Sequence, residues 1–299
     1  MTQPRPMGTV LTAMVTPMNQ DGTLDIAGAI DVANYLLDHG SDGLVVSGTT
    51  GEAPTTHAPE KLELTKALVE AVGERAFIVA GAGSNDTAHA VMMAEQAEEC
   101  GADGVLALTP YYSKPSQLGV LAHFEAIASA TGLPIMLYDI PGRTAMPIGD
   151  DALDAIARRD NVVAVKDATG DVTQARERIE RTGLAWYSGD DPLTLDFLRA
   201  GAVGVVSVAS HVIGESIARM VAAHEVGDAA TADAELAAQL PIIELLMGGG
   251  LGAVTAKAAM QALGVTSSRH MRLPHVAFDD AEYGEFVTRL RAVGVPLTH

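Results

Sequence analysis

The chain alternates short, wholly apolar runs with longer segments in which apolar residues recur every three to four positions. The short runs are rich in valine, alanine, leucine and isoleucine, which is typical of strands buried on both faces. This pattern predicts eight strands. They are Val10–Val15, Gly43–Ser47, Phe77–Ala80, Gly104–Leu108, Ile135–Tyr138, Val162–Lys166, Ala185–Ser188 and Val203–Val208.

The segments between these strands carry a helical period. In Pro59–Val72, for example, Leu64, Leu68 and Val72 fall on one face while charged residues take the others. Pro59 suits a first helical turn, where no backbone donor is needed. The predicted helices are Ile26–Asp38, Pro59–Val72, Thr87–Glu99, Gln117–Ala130 and Asp171–Arg181.

Eight strands that alternate with helices favour a (β/α)₈ TIM barrel. A doubly wound open sheet is the alternative, but no G-x-G-x-x-G follows the first strand. From about Gly227 the alternation stops, and the pattern predicts only helices: Ala229–Met247, Val254–Leu263 and Asp280–Ala292. We therefore expect a catalytic barrel over residues 1–226 and a C-terminal helical extension over residues 227–299.

Composition narrows the function classes. The 299 residues are 48% hydrophobic, which is enough for a large core, and the net charge of −19 repels phosphate backbones, so no nucleic-acid partner is expected. Cys100 is the only cysteine, which excludes an intrachain disulfide and a zinc–thiolate cluster. No apolar stretch approaches the roughly 18 residues of a membrane helix, and the N-terminus lacks a signal-peptide pattern. A cytoplasmic protein that does not bind membranes is expected.

Lys166 is the most informative residue, because it closes the apolar run Val162–Lys166. An ammonium at the end of a buried strand must lose water, which lowers the lysine pKa from about 10.4 by up to several units. A neutral amine is a nucleophile, and its natural target is the carbonyl carbon of a keto acid. The alternative is that Lys166 simply leaves the sheet for water. None of the other four lysines ends an apolar strand-like run.

Chemistry-bearing residues follow several other strands, where the active site of a barrel lies. After the second strand, glycines and hydroxyls in Gly48-Thr49-Thr50-Gly51-Glu52 could hold a carboxylate, or could form an ordinary capped turn. Tyr112 and Tyr138 follow or end the fourth and fifth strands, and a phenol near an imine can transfer protons. Arg143, two residues after Pro141, could clamp a carboxylate at the rim or be a solvated loop charge.

Two further positions are candidates for backbone contacts with a ligand. Gly189 follows the seventh strand and Val206 lies in the eighth, although either could serve packing alone. The nine histidines show no metal-binding spacing such as H-E-x-x-H.

Four motifs stand in order at strand ends: GTTGE, TPYY, YDIPGRT and VKDATG. With this set the chain resembles the dihydrodipicolinate synthase family, within the pyruvate-dependent class I aldolases. The resemblance runs from Gly8 to the last helix. GTTGE and the lysine of the sixth strand mark the superfamily, while Tyr112 together with Arg143 points to the synthase.

The resemblance implies a role for each catalytic residue. Lys166 is the Schiff-base lysine that condenses with the ketone of pyruvate, and Tyr138 is its proton donor and acceptor. Thr49 and Tyr112 complete a proton relay with Tyr138, and the residue matching Tyr112 reaches in from a neighbouring subunit in this family. No metal or cofactor is implied, because the imine polarises the carbonyl.

The resemblance also implies the substrates and the assembly. Thr50 matches the position that holds the pyruvate carboxylate, and Val206 matches a backbone contact to the same ligand. Arg143 matches the arginine that receives the carboxylate of L-aspartate 4-semialdehyde. The product is 4-hydroxy-tetrahydrodipicolinate, a precursor in lysine and diaminopimelate synthesis. A homotetramer built as a dimer of dimers is expected, although a dimer would also complete the site.

The chain departs from the family at a site where lysine-inhibited members carry a serine, histidines and a glutamate. Asn85 and Tyr111 are retained, but Lys61 and a non-acidic His89 are poor partners for the cationic ends of lysine. Weak or absent inhibition by L-lysine is therefore expected. Gly248–Gly252 also differs from many members. The substituted positions are Ala53, Ala58, Lys61 and His89.

Two other functions remain open. A related class I aldolase that acts on sialic acid or on a 2-keto-3-deoxy sugar acid would share Lys166, Tyr138 and GTTGE without needing Arg143. A catalytically silent barrel that serves as a binding protein would form no adduct with pyruvate.

Overall fold

The eight strands form a closed barrel. The structure, a computed structural model, describes residues 5–250 and 252–297. Within these ranges the strands are parallel and follow chain order, and the last pairs with the first. The (β/α)₈ expectation is therefore confirmed. The strands are β1 (Val10–Ala13), β2 (Gly43–Val46), β3 (Phe77–Gly81), β4 (Gly104–Leu108), β5 (Ile135–Asp139), β6 (Val162–Asp167), β7 (Ala185–Ser188) and β8 (Gly204–Ser207).

Helices follow the strands and cover the outside of the barrel. Those in the described ranges are α1 (Ile26–Asp38), α2 (Ala58–Val72), α3 (Thr87–Glu99), α4 (Gln117–Ala130), α5 (Pro141–Thr144), α6 (Asp150–Ile156), α7 (Val172–Thr182), α8 (Thr194–Ala200), α9 (Ser210–Glu225), α10 (Ala229–Met247), α11 (Gly252–Ala262) and α12 (Asp280–Ala292). Short 3₁₀ turns occupy Ala53–Thr55 and Asp191–Leu193.

Most predicted boundaries agree with the structure to within two residues. The helices predicted at Ile26–Asp38, Thr87–Glu99 and Gln117–Ala130 have these bounds in the structure. The pattern gave no helix for α5, α6, α8 or α9. Three of these four have only four to seven residues, too short to show a clear helical period.

Strand register places the central site residues side by side. Tyr138 of β5 pairs with Lys166 of β6, which pairs in turn with Tyr187 of β7. Because side chains alternate along a strand, Tyr138 shares the barrel interior with Ala164, two residues before Lys166, whereas Val165 packs outward against the helices. The register therefore brings a phenol and an amine together at the carboxyl end of the barrel.

The C-terminal helices pack against the barrel. One apolar cluster joins Val205 of β8 to Ile217 of α9, Ile243 of α10, Ala259 of α11 and Phe286 of α12. In the described residues no single helix is long and apolar enough to span a membrane; only α10 and α11 taken together, bent by 109°, satisfy length and composition.

Candidate active site

A cavity of about 100 Å³ opens at the carboxyl ends of the strands. It is lined by residues from several strand-end loops and by α11. Six of the eight residues singled out from the sequence lie around it. These are Thr49, Thr50, Tyr138, Arg143, Lys166 and Gly189.

Lys166 is buried, and its ammonium forms no hydrogen bond or ion pair with the described residues. Its side chain is 5% exposed, and its Nζ lies 4.2 Å from the centroid of the Tyr138 ring. No carboxylate of the described residues comes within ion-pair distance of this ammonium. Burial lowers the pKa of Lys166 to about 8; Asp191 opposes the shift and the Arg143 guanidinium adds to it. A useful fraction of the amine is therefore neutral near neutral pH.

Tyr138 is a neutral phenol in the same cavity. Burial raises its pKa to about 12, and the nearby Asp190 adds to the rise. Arg143 and a hydrogen bond with Thr49 act in the opposite direction. The hydroxyl of Tyr138 is therefore protonated at neutral pH, and Thr49 is its hydrogen-bond neighbour.

The loop that follows β2 is fixed by the C-terminal part of the chain. Glu52 lies in the left-handed region at φ 58° and is fully buried. Its backbone N–H donates to Thr49 O at 3.1 Å, while its carboxylate accepts from the ammonium of Lys257 and, at 3.0 Å, from the backbone N–H of Arg272. Helix α11 and the segment after it therefore hold the turn that presents Thr49 and Thr50.

Sequence reasoning missed the pairing of Glu52 with Lys257. The two residues are 205 positions apart. A visible signal existed, since Lys257 is the only charged residue in the predicted helix Val254–Leu263. A lysine there requires a partner, because an unpaired charge is costly in a helix core.

Asp191 was also missed as a site residue. Its carboxylate is buried and accepts hydrogen bonds from the Ser207 hydroxyl, from Val208 N at 3.1 Å and from Ala209 N at 3.0 Å. Burial raises the pKa of Asp191, and these hydrogen bonds act against that rise. It thus ties the end of β8 to the loop after β7 and places a carboxylate in electrostatic contact with Lys166.

Gly189 permits a close approach between two loops. A Cβ atom at this position would lie 3.0 Å from Asp167 O and 3.0 Å from the Ala168 side chain. Most Cβ atoms keep a larger distance from other heavy atoms, so a glycine is favoured where the β7 loop crosses the end of β6. Its part in ligand binding stays a prediction.

Arg143 lies at the mouth of the cavity. It belongs to the single-turn helix α5, which begins at Pro141 and ends at Thr144; the next residue, Ala145, has a φ of +59°. The Thr144 hydroxyl donates to Ile140 O at 3.0 Å and closes the turn. The side chain of Arg143 is exposed yet lines the cavity, a placement suited to meeting an incoming anion.

Two predicted site residues lie outside this lining. Tyr112 is 89% exposed, with a strained φ of +70°. Val206 is 1% exposed and packs in the barrel core, so only its backbone could face a ligand. Val208, Met247 and His275 line the cavity although the sequence did not single them out. No group of three or more His, Cys, Asp or Glu in the described ranges could hold a metal ion.

Comparison with known proteins gives the family. The sequence model of the dihydrodipicolinate synthetase family matches residues 6–293. The chain belongs to this family. A 4-hydroxy-tetrahydrodipicolinate synthase of Bifidobacterium longum (strain NCC 2705) is 49% identical over 291 residues, which cover 97% of this chain and 96% of the relative.

Solved structures of family members have the same fold. A dihydrodipicolinate synthase from Bacillus anthracis superimposes with a TM-score of 0.91 at 40% identity, covering 97% of this chain and 99% of the other. A second, from Cyanidioschyzon merolae with lysine bound, gives 0.92 at 38% identity and covers 98% of this chain and 100% of that one. The family predicted from the four motifs is therefore confirmed.

Proposed function

We propose that Lys166 is the nucleophile of this enzyme and forms a covalent imine with the ketone of pyruvate. Its family makes the enzyme a 4-hydroxy-tetrahydrodipicolinate synthase, a lyase of lysine and diaminopimelate biosynthesis. The observation that carries the proposal is a buried lysine without a carboxylate partner, 4.2 Å from the ring of Tyr138 in a strand-end cavity. Such an amine is partly neutral and able to attack a carbonyl.

The chemistry follows from this geometry. The amine adds to the ketone carbon of pyruvate, and water leaves to give a protonated imine, which acts as an electron sink. A methyl proton of the bound pyruvate can then depart, and the resulting enamine attacks the aldehyde carbon of L-aspartate 4-semialdehyde. The amino group of the new chain displaces Lys166 by cyclisation and yields 4-hydroxy-tetrahydrodipicolinate. Tyr138, assisted by Thr49 and Tyr112, moves the protons.

Other residues bind and orient the substrates. The pyruvate carboxylate is held by Thr50 and the glycine-rich turn around it, while the backbones of Gly189 and Val206 flank the ligand. Arg143 receives the carboxylate of the semialdehyde, since its exposed guanidinium stands at the cavity mouth. The imine supplies the electron sink, so we propose that neither a cofactor nor a metal takes part.

The assembly is a homotetramer in this proposal. The exposure of Tyr112 and its strained backbone support a function outside its own subunit, where a second copy would use it. The enzyme is cytoplasmic, with residues 1–226 as the catalytic barrel and 227–299 as its helical extension. Light scattering of the wild type and of Tyr112→Phe, beside turnover measurements, tests the contribution across subunits.

Feedback inhibition by L-lysine is absent in this proposal. The Lys61 ammonium, whose only described hydrogen-bond partner is the Met93 sulfur at 3.5 Å, would repel a cationic ligand. Strong inhibition of the purified enzyme by millimolar L-lysine would contradict this part of the proposal.

A coupled assay with pyruvate and aspartate semialdehyde tests the function directly, run beside sialic acid and 2-keto-3-deoxy sugar acids. We expect turnover only with the semialdehyde. Arg143→Ala should reduce condensation far more than imine formation with pyruvate. If Arg143→Ala condenses normally, Arg143 does not bind the semialdehyde carboxylate. Turnover of a sugar acid in place of the semialdehyde would favour the related aldolase, and no turnover under any condition would mean that the barrel is silent.

A further inference from the structure

The loop that carries Arg143 has its two ends joined by hydrogen bonds. Residues 140–149 connect β5 to α6 and include the single-turn helix α5. Asp139, the last residue of β5, is buried, and its Oδ1 accepts from Ile148 N at 3.2 Å. Ile148 is buried as well. The base of the loop therefore closes on a carboxylate inside the protein rather than on solvent.

One side chain of α7 contacts both ends of this loop. Arg178 is 4% exposed, and its guanidinium donates to Asp139 Oδ2 at 3.2 Å and to Ile148 O at 2.8 Å. Its Nε donates to Asp150 Oδ1 at 2.9 Å, at the first residue of α6. A guanidinium carries its donors in a planar fork and can make these contacts together, whereas an ammonium is a single point charge. Arg178 thus joins β5, the loop and α6.

A second buried carboxylate beside Asp139 has partners of its own. Asp167 pairs with Asp139 in the register of β5 and β6. Its oxygens accept from Trp186 Nε1 at 2.9 Å, from Thr169 N at 2.9 Å and from the Thr169 hydroxyl at 2.7 Å. Burial raises the pKa of Asp139 to about 6 and Asp167 adds to the rise, while Ile148 N and Arg178 act against it. Arg178 is therefore the countercharge of Asp139 at the base of the loop.

The reacting pair and Arg143 are held in different ways. Tyr138 pairs with Leu108 of β4 and with Lys166 of β6, and Lys166 pairs in turn with Tyr187 of β7. These two residues are therefore fixed by the barrel itself. Arg143 extends from the loop, and its exposed guanidinium has no ion pair among the described residues. A disturbance at the base of the loop should therefore displace Arg143 before it displaces Tyr138 or Lys166.

We propose that Arg178 is a positioning residue for the acceptor substrate: by holding both ends of the loop 140–149, it places Arg143 where the semialdehyde carboxylate binds. This inference rests on the proposed function, which assigns that carboxylate to Arg143. Arg178 is not among the residues that line the cavity, so it acts through Arg143 and not on the substrate. Recognition of the acceptor thus depends on a buried contact between the loop and a helix on the outside of the barrel.

Kinetics of Arg178→Met test this role by separating the two substrates. We expect kcat/KM for the semialdehyde to fall about 10- to 100-fold, the loss typical of a misplaced binding group, and chiefly through a higher KM. The rate of borohydride trapping with pyruvate should stay nearly unchanged, because the strands hold Lys166 and Tyr138. Arg178→Lys keeps the charge without the fork and should show the same split with a smaller effect. The matched control is Arg181→Met, an exposed arginine of the same helix that pairs with Asp150 and Asp154, and it should leave both rates unchanged.

A double variant separates positioning from stability. Arg178→Met leaves the Asp139 carboxylate buried without its countercharge, whereas Asp150 keeps Arg181 at 3.0 Å. Asp139→Asn combined with Arg178→Met removes both charges, so the melting temperature should recover toward that of the wild type. The KM for the semialdehyde should nevertheless remain raised, because Ile148 O still lacks its donor. If the double variant restored the wild-type KM together with the melting temperature, Arg178 would serve stability alone.

Hydrogen–deuterium exchange measures the hold on the loop without turnover. Peptides that cover residues 140–149 should exchange faster in Arg178→Met and in the double variant than in the wild type, and equally fast in Arg181→Met. Unchanged exchange, an unchanged KM for the semialdehyde in the folded Arg178 variants, or an equal loss of pyruvate trapping and condensation would overturn the proposal. If the wild type itself did not turn over the semialdehyde, the proposed function would fail, while the exchange rates would still show whether Arg178 holds the loop.

Discussion

Two buried lysines of this protein, Lys166 and Lys257, have opposite surroundings. Their side chains are 5% and 2% exposed. Lys257 donates to the Glu52 carboxylate and, at 2.7 Å, to His270 O. Lys166 forms no hydrogen bond or ion pair with the described residues, lies over the face of Tyr138, and has its pKa lowered to about 8 by burial. Burial alone therefore does not make a lysine reactive, because a lysine held by a carboxylate is a structural cation.

The two environments arise from different places in the fold. Lys166 ends a barrel strand, where the register sets Tyr138 beside it and the cavity keeps a face open to substrate. Lys257 lies inside helix α11, whose small residues leave room for a charged contact with Glu52. We propose that Lys166 is free for chemistry, whereas Lys257 fixes the loop that presents Thr49 and Thr50.

Removal of the proposed nucleophile, Lys166, should have the largest effect on turnover. Lys166→Ala is expected to reduce kcat by about 10⁴-fold or more, since no other group can form the imine. It should change the melting temperature little, because the buried amine forms no ion pair and Asp191 keeps its three hydrogen bonds when the amine is lost. Steady-state kinetics and circular dichroism check the two halves. Retained turnover would contradict the assignment of the nucleophile.

Tyr138→Phe tests whether the hydroxyl beside Lys166 transfers protons. The variant keeps the ring over the ammonium and removes only the hydroxyl. We expect kcat to fall about 10²- to 10⁴-fold, the usual contribution of general acid–base catalysis, while the folded structure persists. Thr49→Val should act in the same direction with a smaller effect. Rates near the wild type in Tyr138→Phe would exclude the phenol from proton transfer.

Lys257→Met tests whether the ion pair between Lys257 and Glu52 stabilises the fold. Loss of the ammonium leaves the Glu52 carboxylate buried, which should cost about 3–5 kcal/mol in the free energy of unfolding. Urea unfolding measures this cost. The double variant Glu52→Gln with Lys257→Met should recover part of it, and the folded single variant should still form the pyruvate adduct at Lys166. An unchanged stability would mean that this pair does not hold the loop.

The pH dependence of imine formation is expected to show the smallest effect, and it tests the pKa of Lys166. Below a pKa of about 8 most of Lys166 is protonated, so the trapping rate should rise about tenfold per pH unit below that value and level off above it. Arg143 lowers the pKa of Lys166, so Arg143→Ala should shift the profile to higher pH. Stopped-time trapping with borohydride across pH 6 to about 9 measures both profiles. A rate that still rises about tenfold per pH unit at pH 9, without levelling off, would indicate an ordinary, solvated lysine.

Much of this structure could be predicted from the periodicity of apolar residues and from the general architecture of parallel barrels. The eight strands could be predicted because each lies between helices and reads as one continuous apolar run. Lys166, Tyr138 and Arg143 could then be brought together, because parallel barrel strands all end at one mouth. For these three residues the sequence was sufficient to predict proximity, because a residue at the carboxyl end of any barrel strand lies at the same mouth.

Long-range contacts could not be predicted in the same way. The pairing of Glu52 with Lys257 joins two distant segments whose local patterns are a turn and a helix, and neither pattern names its partner. The inward side chain of Val206 and the full exposure of Tyr112 depend on register and loop conformation, which periodicity does not determine.

Peptide mapping of the protein after incubation with pyruvate and borohydride tests the central claim most directly. The account predicts one reduced pyruvate adduct per chain, on Lys166, with Lys257 and the other lysines unmodified. An adduct on a different lysine, or an unmodified protein, would contradict it.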